Sequence, residues 1–473
     1  MRWLILLHRY VGIAIGWLLV VWCLSGIVMM YVAFPELTAA ERTRTLPPID
    51  LSGCCTFDAR DAALPLRSAE ISMLSPGEPV LRLATAFGGS RAVRLRDGES
   101  IDSIEAEQAL KIASGLASSS DRTPVYLGLV ERDQWTVTAA YDAHRPLHLI
   151  AAQDGAGTEW YISSTTGEPV LATTRAERFW NWLGAVPHWL YPTLLRQNGP
   201  LWIQTVIWSS LVGAFLTAVG LYIGIARLKR RRSGRLSPYR GIALWHHYLG
   251  LVFGALVLTW VTSGLLSVNP WGLLDSGGAR DEAALLRGAE LTAEDVATWL
   301  DAASRRALPE GATLLELVPF DGAPQVLAHL LDGTTVRLRA DTLEPAPLGT
   351  GDLARAALRL APEQTVARAD LLTSADAFYF EHHQSRPFPV YRVVLADAEA
   401  TRYYIDATTG QLLQKVDAPR RWYRWLFEGL HRFDFAAALR RRPGWDLLMI
   451  ALLAGATAVC ATGTYMGIRF LLR

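Results

Sequence analysis

The sequence predicts an integral membrane α-helical protein with α+β domains attached. Four spanning helices form a tandem duplication whose halves are related by a pseudo-twofold axis along the membrane normal. Three observations predict this: four runs without charge over bilayer length, a repeat that keeps its register between the halves, and alternating strand patterns in the long segments between the runs. The 473 residues carry a formal charge of +1 and are 51% hydrophobic, which argues against nucleic acid as a partner and for the lipid bilayer. Seventeen tryptophans suit a chain with interfacial belts, where one side of the ring is apolar and the other wet.

The uncharged runs are 10–34, 202–226, 242–274 less its tail, and 447–468. Each is long enough to cross a hydrocarbon layer that needs about 20 apolar residues. A cleaved signal peptide is the alternative for the first. Its apolar run exceeds the usual length of a signal core, and its copy further along is internal. The short basic stretch "RLKRRRSGRLSPYR" at 227–240 places that loop in the cytoplasm with both termini, which carry Arg2, Arg9, Arg469 and Arg473. The long segments then face the other side. "RRR" at 440–442 runs against this assignment, although long translocated domains tolerate such charges. The expected order is a first span at 1–34, a first outer domain at 35–174, an interfacial helix at 175–198 and a second span at 199–226. After the basic loop come a third span at 241–268, a second outer region at 269–418, an interfacial helix at 419–438 and a fourth span at 445–470.

The repeat is direct. At an offset of 238, His8, Tyr10, Gly12, Gly16, Trp22, Ser25 and Gly26 fall on His246, Tyr248, Gly250, Gly254, Trp260, Ser263 and Gly264. At 243, "WYISSTTGEPV" aligns with "RYYIDATTGQLL", His188 falls on His431, and Gly220, Tyr222 and Gly224 fall on Gly463, Tyr465 and Gly467. Each unit starts inside, goes out and returns, so the units are parallel repeats. Equivalent residues must then lie at equal depth across the axis: His8 with His246 near the cytoplasmic face, His188 with His431 near the outer face.

A helix turns every 3.6 residues, so His8, Gly12 and Gly16 line one stripe, which His246, Gly250 and Gly254 repeat. Close helix packing through small residues is the ordinary reading of such glycines. A histidine heading both stripes favours a haem iron held by two imidazoles, with the porphyrin in a glycine-lined slot. His188 and His431 sit in aromatic segments that read as interfacial helices. A histidine at the same place in both copies points to a second bis-histidine haem there. Zinc or copper is the rival, but two nitrogen ligands without thiolate or carboxylate make a poor structural zinc site. Two b-type haems, one per face, would carry electrons across the bilayer.

The outer segments mix helical spacing at 103–117, 291–308 and 352–361 with strands such as "RAVRLR", "TLLELVPF" and "TVRLRA", an α+β pattern. Together, "LHRYVG…SG", "YYIDATTGQLL" followed by "RWYRWLFEGLHRFDF", and "HHQSRPFPVYRV" resemble the PepSY-associated transmembrane proteins. These are bacterial, often iron-regulated inner-membrane proteins that include diheme ferrisiderophore reductases. The resemblance covers nearly the whole chain. It implies four spans, periplasmic PepSY-like domains, two b-type haems on His8, His188, His246 and His431, and an oxidoreductase that reduces a periplasmic ferric chelate or siderophore. "WHHYLG" departs from a single ligand position and leaves His247 as an alternative to His246.

His382 and His383, with Tyr379 and Arg386, have no equivalent in the first copy, where His144 and His148 are out of register. They form either a substrate site for an anionic or metal-chelate ligand or a solvated loop. His329 reads as a strand residue. Cys54 and Cys55 are adjacent, and oxidation would close a strained eight-membered ring, so free thiols or a link to another chain are equally open. No G-x-G-x-x-G follows a strand, so electrons must come from a cytoplasmic partner, a quinol or a diffusible reductant. The competing function is a non-redox sensor or assembly module whose PepSY-like domains bind a periplasmic peptide or protein.

Overall fold

A computed structural model describes residues 1–116, 122–229, 236–276, 279–380 and 386–472. Among the described residues, four helices are long and apolar enough to cross a membrane: Arg2–Met29, Gly199–Arg227, Ile242–Ser267 and Gly444–Leu471. The first is shorter at its far end than the expected 1–34. Pro35 disfavours helical backbone at Phe34, and the chain has already left the helix by Tyr31. The spans form a ring in which first packs on second, second on third, third on fourth and fourth on first. The first and third face each other across it.

Leu19, Cys23, Leu216, Val257, Trp260, Met449, Leu453, Ala456 and Cys460 are buried together at the centre of this bundle. Small residues let the helices approach. A methyl on Gly16 would stand 3.2 Å from Thr464 Oγ1, one on Gly254 2.8 Å from Leu221, and one on Gly467 2.9 Å from Ile13.

The described residues between spans hold the strands β1 (Leu66–Ser75), β2 (Glu78–Thr85), β3 (Ser90–Arg94), β4 (Ser100–Ile101), β5 (Val125–Val130), β6 (Leu147–Ala151), β7 (Glu159–Ser163), β8 (Pro169–Thr173), β9 (Ala312–Phe320), β10 (Ala323–Leu330), β11 (Thr335–Arg339), β12 (Val366–Leu372), β13 (Val390–Leu395), β14 (Arg402–Asp406) and β15 (Leu412–Val416). One sheet runs β11-β10-β9-β1-β2-β3-β4, and two others run β5-β6-β7-β8 and β12-β13-β14-β15. The outer domain expected at 35–174 and the outer region expected at 269–418 thus both contribute strands to one sheet. β1 pairs antiparallel with β9, Ile71 opposite Leu315, which satisfies two strand edges that would otherwise stand open. One face of the shared sheet buries Leu66, Ile71 and Leu81 beneath Trp299 of the helix Ala293–Arg305. The other face packs on the helix Ala106–Gly115 and on Ile150, Trp160 and Ile162 of the second sheet.

The expected interfacial helix at 175–198 breaks into Arg175–Leu183, Ala185–His188 and Thr193–Arg196. Gly184, at φ −103° and ψ −100°, separates the first two. The one expected at 419–438 runs Ala418–Tyr423, then a wide π turn at Arg424–Gly429, then Leu430–Arg432. π turns inside helices cluster at functional sites, and this one leads directly into His431.

In each four-stranded sheet a half-buried carboxylate ties the loop between the first two strands to the third strand. Asp133 accepts N–H bonds from Trp135 and Thr136, both 2.9 Å, and the Tyr161 hydroxyl at 2.6 Å. Asp376 accepts from Phe378 (2.8 Å), Tyr379 (2.7 Å) and Tyr404 (2.8 Å), and pairs with Arg392 at 2.8 Å. Burial by itself pushes the Asp376 carboxyl up, but its donors outweigh burial and hold it below the usual carboxylate value. A depressed folded-state pKa contributes stability above the unfolded value of about 3.9, and that stability is lost as pH falls through the folded one. Asp376→Asn is therefore expected to lower the thermal midpoint at pH 7 by several degrees. The gap between variant and parent should narrow in melts below about pH 4. An unchanged gap would disprove the assignment.

Candidate functional site

Two histidine pairs form across the ring. The ring centroids of His8 and His246 lie 6.3 Å apart, and those of His188 and His431 6.1 Å apart. All four use Nδ1 in the same way. His8 Nδ1 lies 3.1 Å from the Leu216 carbonyl and His246 Nδ1 3.1 Å from that of Val459. His188 Nδ1 lies 3.1 Å from the Trp22 carbonyl and His431 Nδ1 3.2 Å from that of Trp260. A carbonyl can only accept, so each Nδ1 carries the proton and each Nε2 keeps its lone pair. This is the arrangement of metal-ligating histidines, whose second nitrogen is held by a carbonyl or carboxylate.

Serines complete the upper pair. Ser25 Oγ donates to the Val21 carbonyl at 2.7 Å and accepts from His188 Nδ1 at 3.1 Å. Ser263 Oγ donates to the Trp260 carbonyl and accepts from His431 Nδ1, both at 3.0 Å. Burial pushes the His188 imidazole down to about 4 and that of His431 to about 3, the latter helped by its histidine neighbour and Arg432. Both stay neutral at pH 7, the form that binds a metal.

Indole N–H groups hold the two segments in place. Trp202 Nε1 donates to the Trp189 carbonyl at 2.9 Å, and Trp445 Nε1 to that of Arg432 at 2.8 Å. Each links a returning span to the residue just after its histidine.

Glycines give the rings room. A methyl on Gly220 would stand 2.6 Å from His8 Cε1, and one on Gly463 3.0 Å from His246 Cε1. At the upper pair the corresponding distances are 3.5 Å for Gly26 and 3.3 Å for Gly264. The glycines singled out by stripe behave differently. Gly16 and Gly254 pack helix against helix and Gly12 faces Leu216, while a methyl on Gly250 would meet no atom of the described residues within 4 Å. A glycine four or eight residues beyond a histidine on one helix faces that helix's neighbour, whereas the ring is cradled by glycine from a different span. Gly220 and Gly463, Gly26 and Gly264, and the two serines were visible as repeated positions. Only the packing shows that they serve the histidines.

The two adjacent histidines now separate. His246 faces His8. His247 is buried, its Nδ1 2.8 Å from Ser237 Oγ and its Nε2 2.8 Å from the Gly224 carbonyl. Both of its nitrogens are engaged, which leaves it none for a metal and corrects the expectation that it could stand in for His246. Tyr379 is a core residue, fully buried, stacked on Tyr404 with ring centroids 5.1 Å apart and donating its hydroxyl to the Pro387 carbonyl at 3.2 Å. It is therefore no substrate contact. Arg386 lies over its ring, 5.1 Å from the centroid. His382 and His383 lie outside the described residues. His148 is buried against the Ile104 carbonyl (2.7 Å) and the Tyr126 hydroxyl (3.1 Å), His329 sits on β10 beside Thr335, and Cys54 and Cys55 are joined by a disulfide.

Both pairs have the spacing of two imidazoles that share one metal centre. An imidazole nitrogen lies about 2.0–2.1 Å from a bound metal, so two such ligands put their nitrogens about 4 Å apart and their ring centres ~6 Å apart. Both measured separations match. The upper pair opens into a cavity of about 460 Å³, lined mostly by apolar groups including Trp22, Gly26, Met29, Trp260 and Phe427, within the range of cofactor sites. Among the described residues, the indole Nε1 atoms of Trp22 and Trp260 are buried donors without an acceptor. Arg432 is a cation on the same wall. Unmet donors and a cation in an apolar cavity suit a flat ligand with acidic substituents. No family model and no curated protein matches the chain.

Proposed function

We propose that this chain is a membrane electron carrier of the PepSY-associated type, a tandem duplication in a bacterial inner membrane with both termini cytoplasmic. In this reading it holds two b-type haems and reduces a ferric chelate on the periplasmic side. The observation that carries the proposal is the four histidines, paired across the ring, each with Nδ1–H on a carbonyl and Nε2 unspent. A haem held by two imidazoles supplies a one-electron centre with no position open to O₂ or substrate.

The remaining roles belong to the chain. Leu216, Val459, Trp22 and Trp260 fix the imidazole tautomers through their carbonyls. The apolar walls keep water from the iron and so influence its potential. Ser25 stands seventeen residues after His8, and Ser263 seventeen after His246. At 1.5 Å per residue the two pairs are thus about 25 Å apart along the helices, close to the hydrocarbon thickness of about 30 Å. The recurrence in each half of a meander, β1–β4 and β9–β11, followed by a four-stranded sheet supports the duplication.

The test is a dithionite-reduced minus oxidised spectrum of the purified full chain with haem quantitation, expected to give two haems per chain. A colourless protein would sink the proposal and leave the non-redox sensor or assembly module. His247→Ala should keep the full pigment. It should lower the thermal midpoint, since losing a buried hydrogen-bond partner costs about 1–3 kcal/mol. Pigment loss in H247A would return His247 to the ligand set.

A further inference from the structure

A polar pocket of about 290 Å³ opens where the helix Arg175–Leu183 begins, lined by Arg122, Arg175, Arg178, Ala151, Asp154 and Glu159. Its acids are already engaged. Asp154 accepts from the Thr158 N–H at 2.8 Å and the Thr158 hydroxyl at 2.6 Å, and Glu159 pairs with Arg178 at 3.0 Å. Arg178 also donates to the carbonyls of Thr173 (2.8 Å) and Gly157 (3.0 Å). Among the described residues no carboxylate pairs with Arg175, whose exposed guanidinium lies against Gly157. Arg178 is thus spent on Glu159 and those carbonyls, which leaves Arg175 as the cation lining the pocket that no described carboxylate pairs. The second half has no copy of it. At the same offset, Arg175 becomes Ala418, Glu159 becomes Arg402 and Arg122 becomes Thr365.

The helix carrying Arg175 identifies the anion's source. Arg175, Phe179, Trp182 and Leu183 fall on one stripe, at i, i+4, i+7 and i+8. The three apolar side chains are 58%, 53% and 49% exposed. Such a stripe is unusual on a surface facing water and ordinary for a helix lying in a lipid interface, with basic residues at headgroup level. The helix is fixed to the end of the first span: Asn181 Nδ2 donates to the Ala33 carbonyl at 2.9 Å, and a methyl on Gly184 would meet Val28 at 3.0 Å. The pocket's other wall agrees. Ala151 pairs with Val125 of the edge strand β5, where Val125, Leu127 and Leu129 are 46%, 51% and 55% exposed.

We infer that this pocket seats the phosphate of an anionic phospholipid headgroup, Arg175 facing the phosphate while Phe179, Trp182 and Leu183 lie along the acyl chains. The inference rests on the membrane reading and is independent of the haems. It is tested on the detergent-purified full chain by native mass spectrometry with added phosphatidylglycerol, phosphatidylcholine of the same acyl chains, or inorganic phosphate. Arg175→Gln is expected to weaken phosphatidylglycerol retention about five-fold, and Phe179→Ser to weaken it as well. R175Q should weaken phosphatidylcholine retention much less, because its choline already offsets the phosphate charge, and should leave any pigment unchanged. Equal phosphatidylglycerol binding by parent and R175Q overturns the inference, as does an equal loss of both lipids. Inorganic phosphate binding that R175Q abolishes and F179S leaves intact also overturns it, by showing a free-anion site. Arg175→Lys, which keeps the charge and should keep most of the phosphatidylglycerol retention, puts the same question if R175Q does not fold.

Discussion

Replacing His188 with alanine is expected to halve the six-coordinate, low-spin haem signal of the purified chain. His188 and His431 face one another at 6.1 Å between centroids, each oriented through Nδ1. Removing one imidazole leaves the other unable to complete the coordination by itself. The pairing predicts a pattern across variants as well as a loss. H188A, H431A and the double variant H188A/H431A should retain the same half, because the second removal acts on a site already lost. H8A and H246A should lose the other half, and H8A/H188A should retain none. Redox titration of each single variant checks which potential disappears. A half signal surviving in H8A/H188A would mean that the histidines pair differently and would overturn the reading of both centres.

A methyl group on Gly220 should be nearly as damaging to the lower centre. It would stand 2.6 Å from His8 Cε1, a distance that real contacts do not reach. The ring must therefore move off the Leu216 carbonyl that orients it. Overpacking of this kind costs about 1–3 kcal/mol, and here the displaced ring is one of the proposed ligands. Gly220→Ala is expected to remove the lower low-spin signal while leaving the upper one at full strength. Gly463→Ala, at 3.0 Å from His246, should perturb the same signal less. Gly250→Ala is the control: no described atom lies within 4 Å of its Cβ position, and its effect should stay within about 0.5 kcal/mol. Spectra of the three variants side by side decide it. Equal damage by G250A and G220A would show that the slot lies along the stripe instead.

Much of this was legible in the residues alone, for identifiable reasons. A span must bury some twenty apolar residues in lipid, so the four helices stand out by composition, and their ends shift only where a proline or loop residue intervenes. The histidine pairs were legible because equal offsets in a direct repeat require equal depth. The neighbours of the imidazoles were harder to read. Ser25 and Gly26 lie on the first span, but they serve a histidine 163 residues away in sequence from Ser25. His246 and His247 carry the same chemistry on adjacent positions, and a helix sends adjacent side chains about 100° apart. Only the packing of the second span and of Ser237 shows which one turns outward from the ring. The joining of the two outer segments was equally hidden, since nothing in the residues of β1 or β9 names its partner strand and either could have been paired within its own half.

By itself the amino-acid sequence determined what local chemistry and periodicity control: the spans, the repeat, the strand-rich segments and the candidate ligands. The tertiary structure decided which glycine yields to which ring, which histidine is consumed by hydrogen bonds, and that both halves share one sheet. Those outcomes depend on contacts between residues distant in the chain, where the burial of a group is set by its neighbours and not by its own identity.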